Sequence, residues 1–289
     1  MHFVEAKSLL NQRNGMNLYR GCAHGCVYCD SRSTCYQFTH PFEDIEVKQN
    51  APELLEGFLK KRRKKCVIST GSMSDPYQPC EGELHLTRRC LELIDRYGFG
   101  ASVITKSDLV LRDLDLFDSI NRNAKSVLQM TLTIADDALS RILEPNVCPT
   151  TRRYEVLKTF KRRKIPTIVW MTPILPFLTD TEENIRAILD YCFDADVKGI
   201  ISYGAGVTLR EGDREYYYRA LDRHFPGLSD EYRKNYGNAY EVNSPRNREL
   251  MRMFHTECEK RGVLHDPEAC FRYIAAMPEK TVQLSLFET

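Results

Sequence analysis

The chain has 289 residues, 42% of them hydrophobic, with 41 basic against 40 acidic side chains and a net charge of +1. That suffices for one sizeable core, leaves no global electrostatic pull toward nucleic acid, so that such binding needs a local patch, and holds no apolar run of about 18 residues that would read as a membrane span. Eleven cysteines, behind a start that His2 and Glu5 keep from reading as a signal peptide, point to free thiols in a cytoplasmic protein rather than a disulfide framework. In chain order, short β-branched or aliphatic runs fall at 16–20, 66–70, 101–105, 127–133, 167–172 and 199–203. Helical patterns lie between them at 52–64, 86–97, 151–163 and 181–193, the last opened by Thr181 and the acidic turn Glu182-Glu183. Strands alternating with helices imply parallel βαβ units. Six such units make a partial (β/α)6 TIM-type barrel over 1–209, followed by a helical C-terminal extension over 210–276 packed on it and a flexible tail over 277–289.

In α/β barrels the chemistry gathers where strands end. Cys22, Cys26 and Cys29 follow the first run with spacing C-x3-C-x2-C. A structural zinc site wants four protein ligands, and no fourth cysteine stands at a matching interval. Three thiolates on one loop suit a 4Fe–4S cluster with one iron left open to a small molecule. The alternative is a zinc knuckle with His24 as fourth ligand, in a module that binds and does not catalyse. The polar loop of residues 71–79 follows the second run, Lys106 the third, and Thr131 and Thr133 close the fourth on one strand face.

The cysteine spacing resembles that of the radical S-adenosylmethionine (SAM) superfamily, and the surrounding sequence is similar to its spore photoproduct lyase-like branch. The resemblance implies that SAM chelates the open iron. An electron from an external donor then splits it to methionine and a 5′-deoxyadenosyl radical that takes a hydrogen atom from substrate. It also implies that Ser74 and Asp75 bind the SAM amino group, that Lys106 meets its carboxylate, and that Thr131 and Thr133 face its ribose, with barrel-interior packing as the other account of the threonines. Glu144 and Arg153 match the branch as a structural ion pair. Two positions depart from it. Ser72 stands where photoproduct lyase has a cysteine hydrogen donor, and Asp30 where it has a tyrosine. A hydroxyl gives up a hydrogen atom to a carbon radical less readily than a thiol. Tyr28 or Cys80 is therefore the expected relay.

The basic runs at 60–65 and 161–164 close predicted helices, where cations complement the helix dipole. Arg210, Arg214, Arg219, Arg246 and Arg248 are better placed for backbone phosphates. Tyr216-Tyr217-Tyr218 offers stacking surface, although consecutive positions on a helix diverge and at least one belongs in the core. Gly204-Ala205-Gly206 reads as a strand exit or as backbone facing adenine. The tail Gln283-Leu284-Ser285-Leu286-Phe287 resembles the pentapeptide that bacterial polymerases and repair proteins dock on the sliding clamp. Together these imply a radical SAM enzyme, lyase-like, acting on a DNA lesion or otherwise modifying nucleic acid. A peptide or small-molecule substrate is the alternative.

Overall fold

Short β-branched strands separated by amphipathic helices can pair only side by side and in parallel, with the helices outside. The structure, a computed structural model describing residues 1–278, follows that logic. Gly15–Met16, Val67–Thr70, Gly100–Thr105, Ser126–Thr131, Thr167–Trp170 and Gly199–Ile201 pair in chain order, all parallel. The helices Ala51–Lys61, Leu86–Arg96, Leu114–Asn123, Thr150–Arg162 and Glu182–Asp194 return the chain between strands. Their apolar stripes meet the sheet's outer face, where Phe117 and Phe160 pack edge to face at 5.2 Å. Thr181 caps its helix by accepting from the Asn184 amide at 3.1 Å, at the start its sequence announces.

The first strand differs from the expected 16–20. Only Gly15–Met16 joins the barrel. Tyr19–Arg20 leaves it to pair antiparallel with Glu46–Lys48, which also pairs in parallel with His2–Val4. The split lifts the cysteine loop onto a small separate sheet at the rim. The helix Leu114–Asn123 and an antiparallel pair of Gly206–Thr208 with Glu241–Asn243 were absent from the sequence expectation. Gly206 therefore opens a strand, and Gly204 turns the chain with a φ of 109°.

Beyond residue 210 the chain packs in three places, one of them the helix Pro267–Ala275, whose Cys270 and Ile274 meet Val127, Ile168 and Ile201. Leu250, Phe254 and Cys258 of helix Asn247–Arg261 join the barrel core beside Ile185, Leu189 and Cys192. Tyr217, Tyr218, Leu221 and Tyr232 close a second cluster with Cys26, Val27 and Tyr28, and so back the cysteine loop with aromatic side chains. Lys60, Lys61, Lys161 and Arg162 sit in last helical turns, as their dipole reading requires. No helix among the described residues is long and apolar enough to cross a membrane. The clamp-like segment Gln283 to Phe287 lies outside the described residues.

Candidate active site

Gly21 opens the cysteine loop at a φ of 86°, and a Cβ there would stand 2.4 Å from the Phe42 carbonyl oxygen, so only glycine lets the chain turn here. Backbone hydrogen bonds then hold the loop: the Cys22 amide donates to Phe42 at 3.2 Å and the Val27 amide to Leu143 at 3.0 Å. Gln78 Oε1 accepts from the Ala23 amide at 3.0 Å, and Asn146 Nδ2 donates to the Ala23 carbonyl at 2.9 Å. All three loop cysteines are free thiols.

Their donor set fits a cluster better than zinc. A structural zinc site wants four protein ligands, whereas three thiolates on one loop leave one iron of a 4Fe–4S cluster open. His24, the alternative fourth ligand, is buried with Nδ1 3.4 Å from Asp75 Oδ2. Burial works against its charge, yet Asp75 and the Cys22 thiol raise its pKa to about 10. Cys22 resists ionisation through burial, and its hydrogen bond with His24 overcomes that and holds the thiol below its usual value. Burial pushes Cys26 and Cys29 up, and the Lys106 ammonium pulls both back.

The loop of residues 71–79 crosses close under the rim because Gly71, at a φ of 101°, lets its backbone approach the third strand. A Cβ there would meet the Ile104 carbonyl oxygen at 2.2 Å. Ser74 Oγ donates to the Tyr19 carbonyl at 2.8 Å, and so keeps lone pairs for an ammonium donor. Asp75, which the resemblance sets against the SAM amino group, is held by hydrogen bonds within the protein. Its Oδ1 accepts from Thr105 Oγ1 at 2.6 Å and the Tyr77 amide at 2.8 Å, while Oδ2 accepts from the Lys106 amide at 2.8 Å and faces His24. Both oxygens thus have partners within the protein, and Asp75 fixes the Lys106 backbone and faces His24. The Lys106 ammonium takes no hydrogen-bond or ion-pair partner among the described residues and lies 5.7 Å from the Tyr28 ring centre. Burial opposes its charge, but Cys26, Glu144 and Cys29 hold its pKa above the usual value. It is a cation aimed at the thiols and waiting for an anion.

Beneath the loop runs a buried polar chain. Tyr28 donates to Glu144, Glu144 pairs with Arg153, and both charged side chains are fully buried. Arg153 also donates to the Thr131 carbonyl at 2.8 Å, the Cys148 carbonyl at 3.1 Å and Ser140 Oγ at 3.0 Å. The expected ion pair is thus present. The Tyr28 hydroxyl, one of the two expected relays, is buried and points its hydrogen at Glu144. Thr133 Oγ1 lies 3.5 Å from that same hydroxyl, and Thr131 and Thr133 are both buried. Cys80 is half-buried on the rim, its thiol pushed up to about 11 by burial and Glu81.

A cavity of about 260 Å³ opens on the other flank, lined by Arg32, Ser33, Thr34, Phe38, Tyr216 and Arg219 among others. Arg32, three residues past Cys29, is held 3.5 Å from the Tyr216 ring centre and 4.7 Å from that of Phe42. Sequence reasoning missed Arg32. Its short distance from Cys29 along the chain was the one available signal. Of the other arginines, Arg210 pairs with Asp30 at 3.2 Å, Arg214 donates to carbonyls of residues 209, 238 and 239, and Arg246 pairs with Glu249. Arg219 and Arg248 are exposed. Tyr217 and Tyr218 are buried, and Tyr216 alone of the three faces the cavity.

The six-stranded parallel barrel thus presents three free thiols and, among the described residues, a lysine without a hydrogen-bond or ion-pair partner at one rim. The family model for the radical SAM superfamily matches residues 16–192, and the chain belongs to that superfamily. Its cofactors are a 4Fe–4S cluster and SAM. Uncharacterised proteins of Mycobacterium tuberculosis and Methanocaldococcus jannaschii are similar to it. The first is 29% identical over 252 residues, 81% of this chain and 73% of that protein. The second is 36% identical over 171 residues, 58% of this chain and 62% of that protein. In fold the chain resembles a spore photoproduct lyase variant solved with SAM and a dinucleoside spore photoproduct, at a TM-score of 0.60 and 16% identity over 86% of this chain and 74% of that one. It also resembles the radical SAM methyltransferase TsrM of Kitasatospora setae, solved with tryptophan, at a TM-score of 0.51 and 14% identity over 88% of this chain and 52% of that one.

Proposed function

We propose that this chain is a radical SAM enzyme that removes a hydrogen atom from a nucleic-acid substrate, in repair or modification of a lesion. Cys22, Cys26 and Cys29 would hold the cluster, which, once reduced by an external donor, would supply the electron for cleavage of SAM to methionine and a hydrogen-abstracting 5′-deoxyadenosyl radical. Lys106 offers its ammonium to the SAM carboxylate, and Ser74 Oγ accepts from the SAM amino group. Asp75 acts one step back, fixing the Lys106 backbone. Thr131 and Thr133 stand near the ribose side, and Cys80, the rim thiol, is the candidate hydrogen donor to a product radical. The aromatic backing of the loop by Tyr217, Tyr218 and Tyr232 keeps water from that side.

The cavity lined by Arg32, Phe38, Tyr216 and Arg219 carries the nucleic-acid reading. Exposed Arg219 offers its guanidinium to a phosphate, and Phe38 and Tyr216 offer rings to bases, while Arg32, paired with Glu43 at 2.8 Å, holds the wall in place. The photoproduct lyase neighbour, whose structure holds a dinucleoside lesion, supports the same reading. The methyltransferase neighbour holds tryptophan on a related barrel, so the fold alone does not choose the substrate. The tail from Gln283 to Phe287 would recruit the enzyme to the sliding clamp, and its deletion should remove any clamp binding.

The test is anaerobic turnover after dithionite reduction. SAM should be converted to 5′-deoxyadenosine, faster with lesion-bearing DNA than without, and Cys26→Ala should abolish conversion. A zinc-loaded protein without turnover would end the enzymatic reading. Stimulation by a peptide or metabolite but by no DNA would end the nucleic-acid one.

A further inference from the structure

Away from the cluster loop, the small sheet at the N-terminal side gathers two histidines and a glutamate. Parallel pairing sets His2 opposite Glu46, and the antiparallel strand sets Arg20 on the other side of Glu46. His40 reaches the same row from the preceding loop, its ring 4.9 Å from that of His2 and at right angles to it. One ring nitrogen of each histidine and a carboxylate oxygen of Glu46 all lie within 4.8 Å of one another, on three half-buried residues.

The hydrogen bonds of this group leave a position for a cation. The Pro41 carbonyl can only accept, so His40 Nδ1, 3.0 Å away, carries a hydrogen. In the neutral ring Nε2 then bears a lone pair, yet it faces Glu46 Oε1, also an acceptor, at 2.8 Å. Two acceptors approach so closely only when a positive charge joins them. His2 Nδ1 donates to Asp44 Oδ2 at 3.1 Å, which leaves Nε2 as its ligating nitrogen. Glu46 Oε1 accepts from Arg20 Nη1 at 3.0 Å, and Oε2 takes no hydrogen bond among the described residues. Each of the three side chains thus has its own outer partner: a carboxylate on His2, a backbone carbonyl on His40, a guanidinium on Glu46. Metal-ligating histidines and carboxylates are oriented in this way.

We propose that His2, His40 and Glu46 bind a first-row divalent cation of the zinc type, with water completing its coordination. Ligand bonds of about 2.0–2.2 Å require the 2.8 Å contact of His40 with Glu46 to open around the ion. The ion takes the place of the proton that His40 would otherwise hold against Glu46. Its role is structural. Arg20, bonded to Glu46, also donates to the Tyr36 carbonyl at 2.8 Å and the Gln37 carbonyl at 3.1 Å and immediately precedes Gly21. Binding therefore fastens the first strand and the 36–41 loop beside the entry to the cluster loop.

The test adds Co2+ to the anaerobic, cluster-loaded full chain and reads difference spectra against the same protein without Co2+. One equivalent should bind with visible ligand-field bands and no thiolate-to-cobalt charge-transfer band, and Zn2+ should displace it. His40→Gln should remove the bands. Asp44→Asn, which leaves all three ligands in place, should weaken binding about 10–100-fold, with its melting temperature confirming that it folds. Absence of binding, a charge-transfer band reporting cysteine ligation, or equal affinity in Asp44→Asn and the parent would each overturn the proposal.

Discussion

The two sides of the cysteine loop are built on opposite terms. Beneath it, Tyr28, Glu144, Arg153, Ser140 and the Thr131 carbonyl form a buried chain in which every charged group has a partner. Among the described residues, most buried polar atoms without a hydrogen-bond partner collect on the outer flank, at Arg32 Nε, Arg214 Nε, Tyr218 OH and both carboxylate oxygens of Asp213, while Thr70 Oγ1 and Gln78 Nε2 lie elsewhere. A satisfied network holds one arrangement, whereas unpaired buried groups cost free energy until water or a ligand meets them. The floor of the site is thus a fixed frame for cluster and cofactor, and the flank is where a substrate would repay the strain.

Breaking the floor should have the largest effect. Glu144→Gln leaves Arg153 as a buried, uncompensated charge, so it should cost about 3–5 kcal/mol in chemical denaturation and lower iron retained per chain. Arg153→Met together with Glu144→Leu should recover most of that loss, since an apolar pair of similar volume avoids the desolvation cost.

The flank predicts the opposite sign. Burial, with the neighbouring Asp30 carboxylate, raises Asp213 to about 7 from an ordinary 3.8, and Arg32 only partly offsets it. The folded state therefore favours the protonated acid. Its contribution is fully present below the unfolded pKa near 4 and is lost as pH rises through about 7. Asp213→Asn should stabilise the protein by about 2–4 kcal/mol at pH 8 and by almost nothing below pH 4, in denaturation curves at both pH values. A parent and variant that differ equally at both would break the assignment.

Two smaller changes sharpen the contrast. Gly21→Ala forces a Cβ against the Phe42 carbonyl and should cost about 1–3 kcal/mol, read as melting together with cluster content. Arg219→Gln, on the exposed rim of the cavity, should leave melting unchanged. It should weaken DNA binding and reduce the slope of log affinity against log salt by about 1.

How far the sequence could be read follows the same division. The cysteine spacing, the 71–79 loop, Lys106 and the strand order were legible because each depends on local pattern, and Glu144 with Arg153 lies on adjoining segments nine residues apart. The split of the first strand was not, because nothing within residues 16–20 says that the second half will prefer Glu46–Lys48 over the barrel. The hydrogen bonding of Asp75 within the protein was equally hidden, since its partners Thr105, Lys106 and His24 come from two other segments. The cavity depends on Arg32 meeting Tyr216 across most of the chain, a pairing with no periodicity to reveal it. The helix Leu114–Asn123 has an ordinary amphipathic pattern that was simply passed over.

The most direct measurement is isotope transfer. The reduced, cluster-loaded enzyme is given SAM and lesion-bearing DNA deuterated at the sugar and base carbons, and the 5′-deoxyadenosine formed is weighed by mass spectrometry. Deuterium in that product is the result expected of an enzyme that draws its hydrogen from nucleic acid at the flank beside Cys29. Unlabelled 5′-deoxyadenosine from every DNA tested, with label arriving from a deuterated peptide or metabolite, would contradict it.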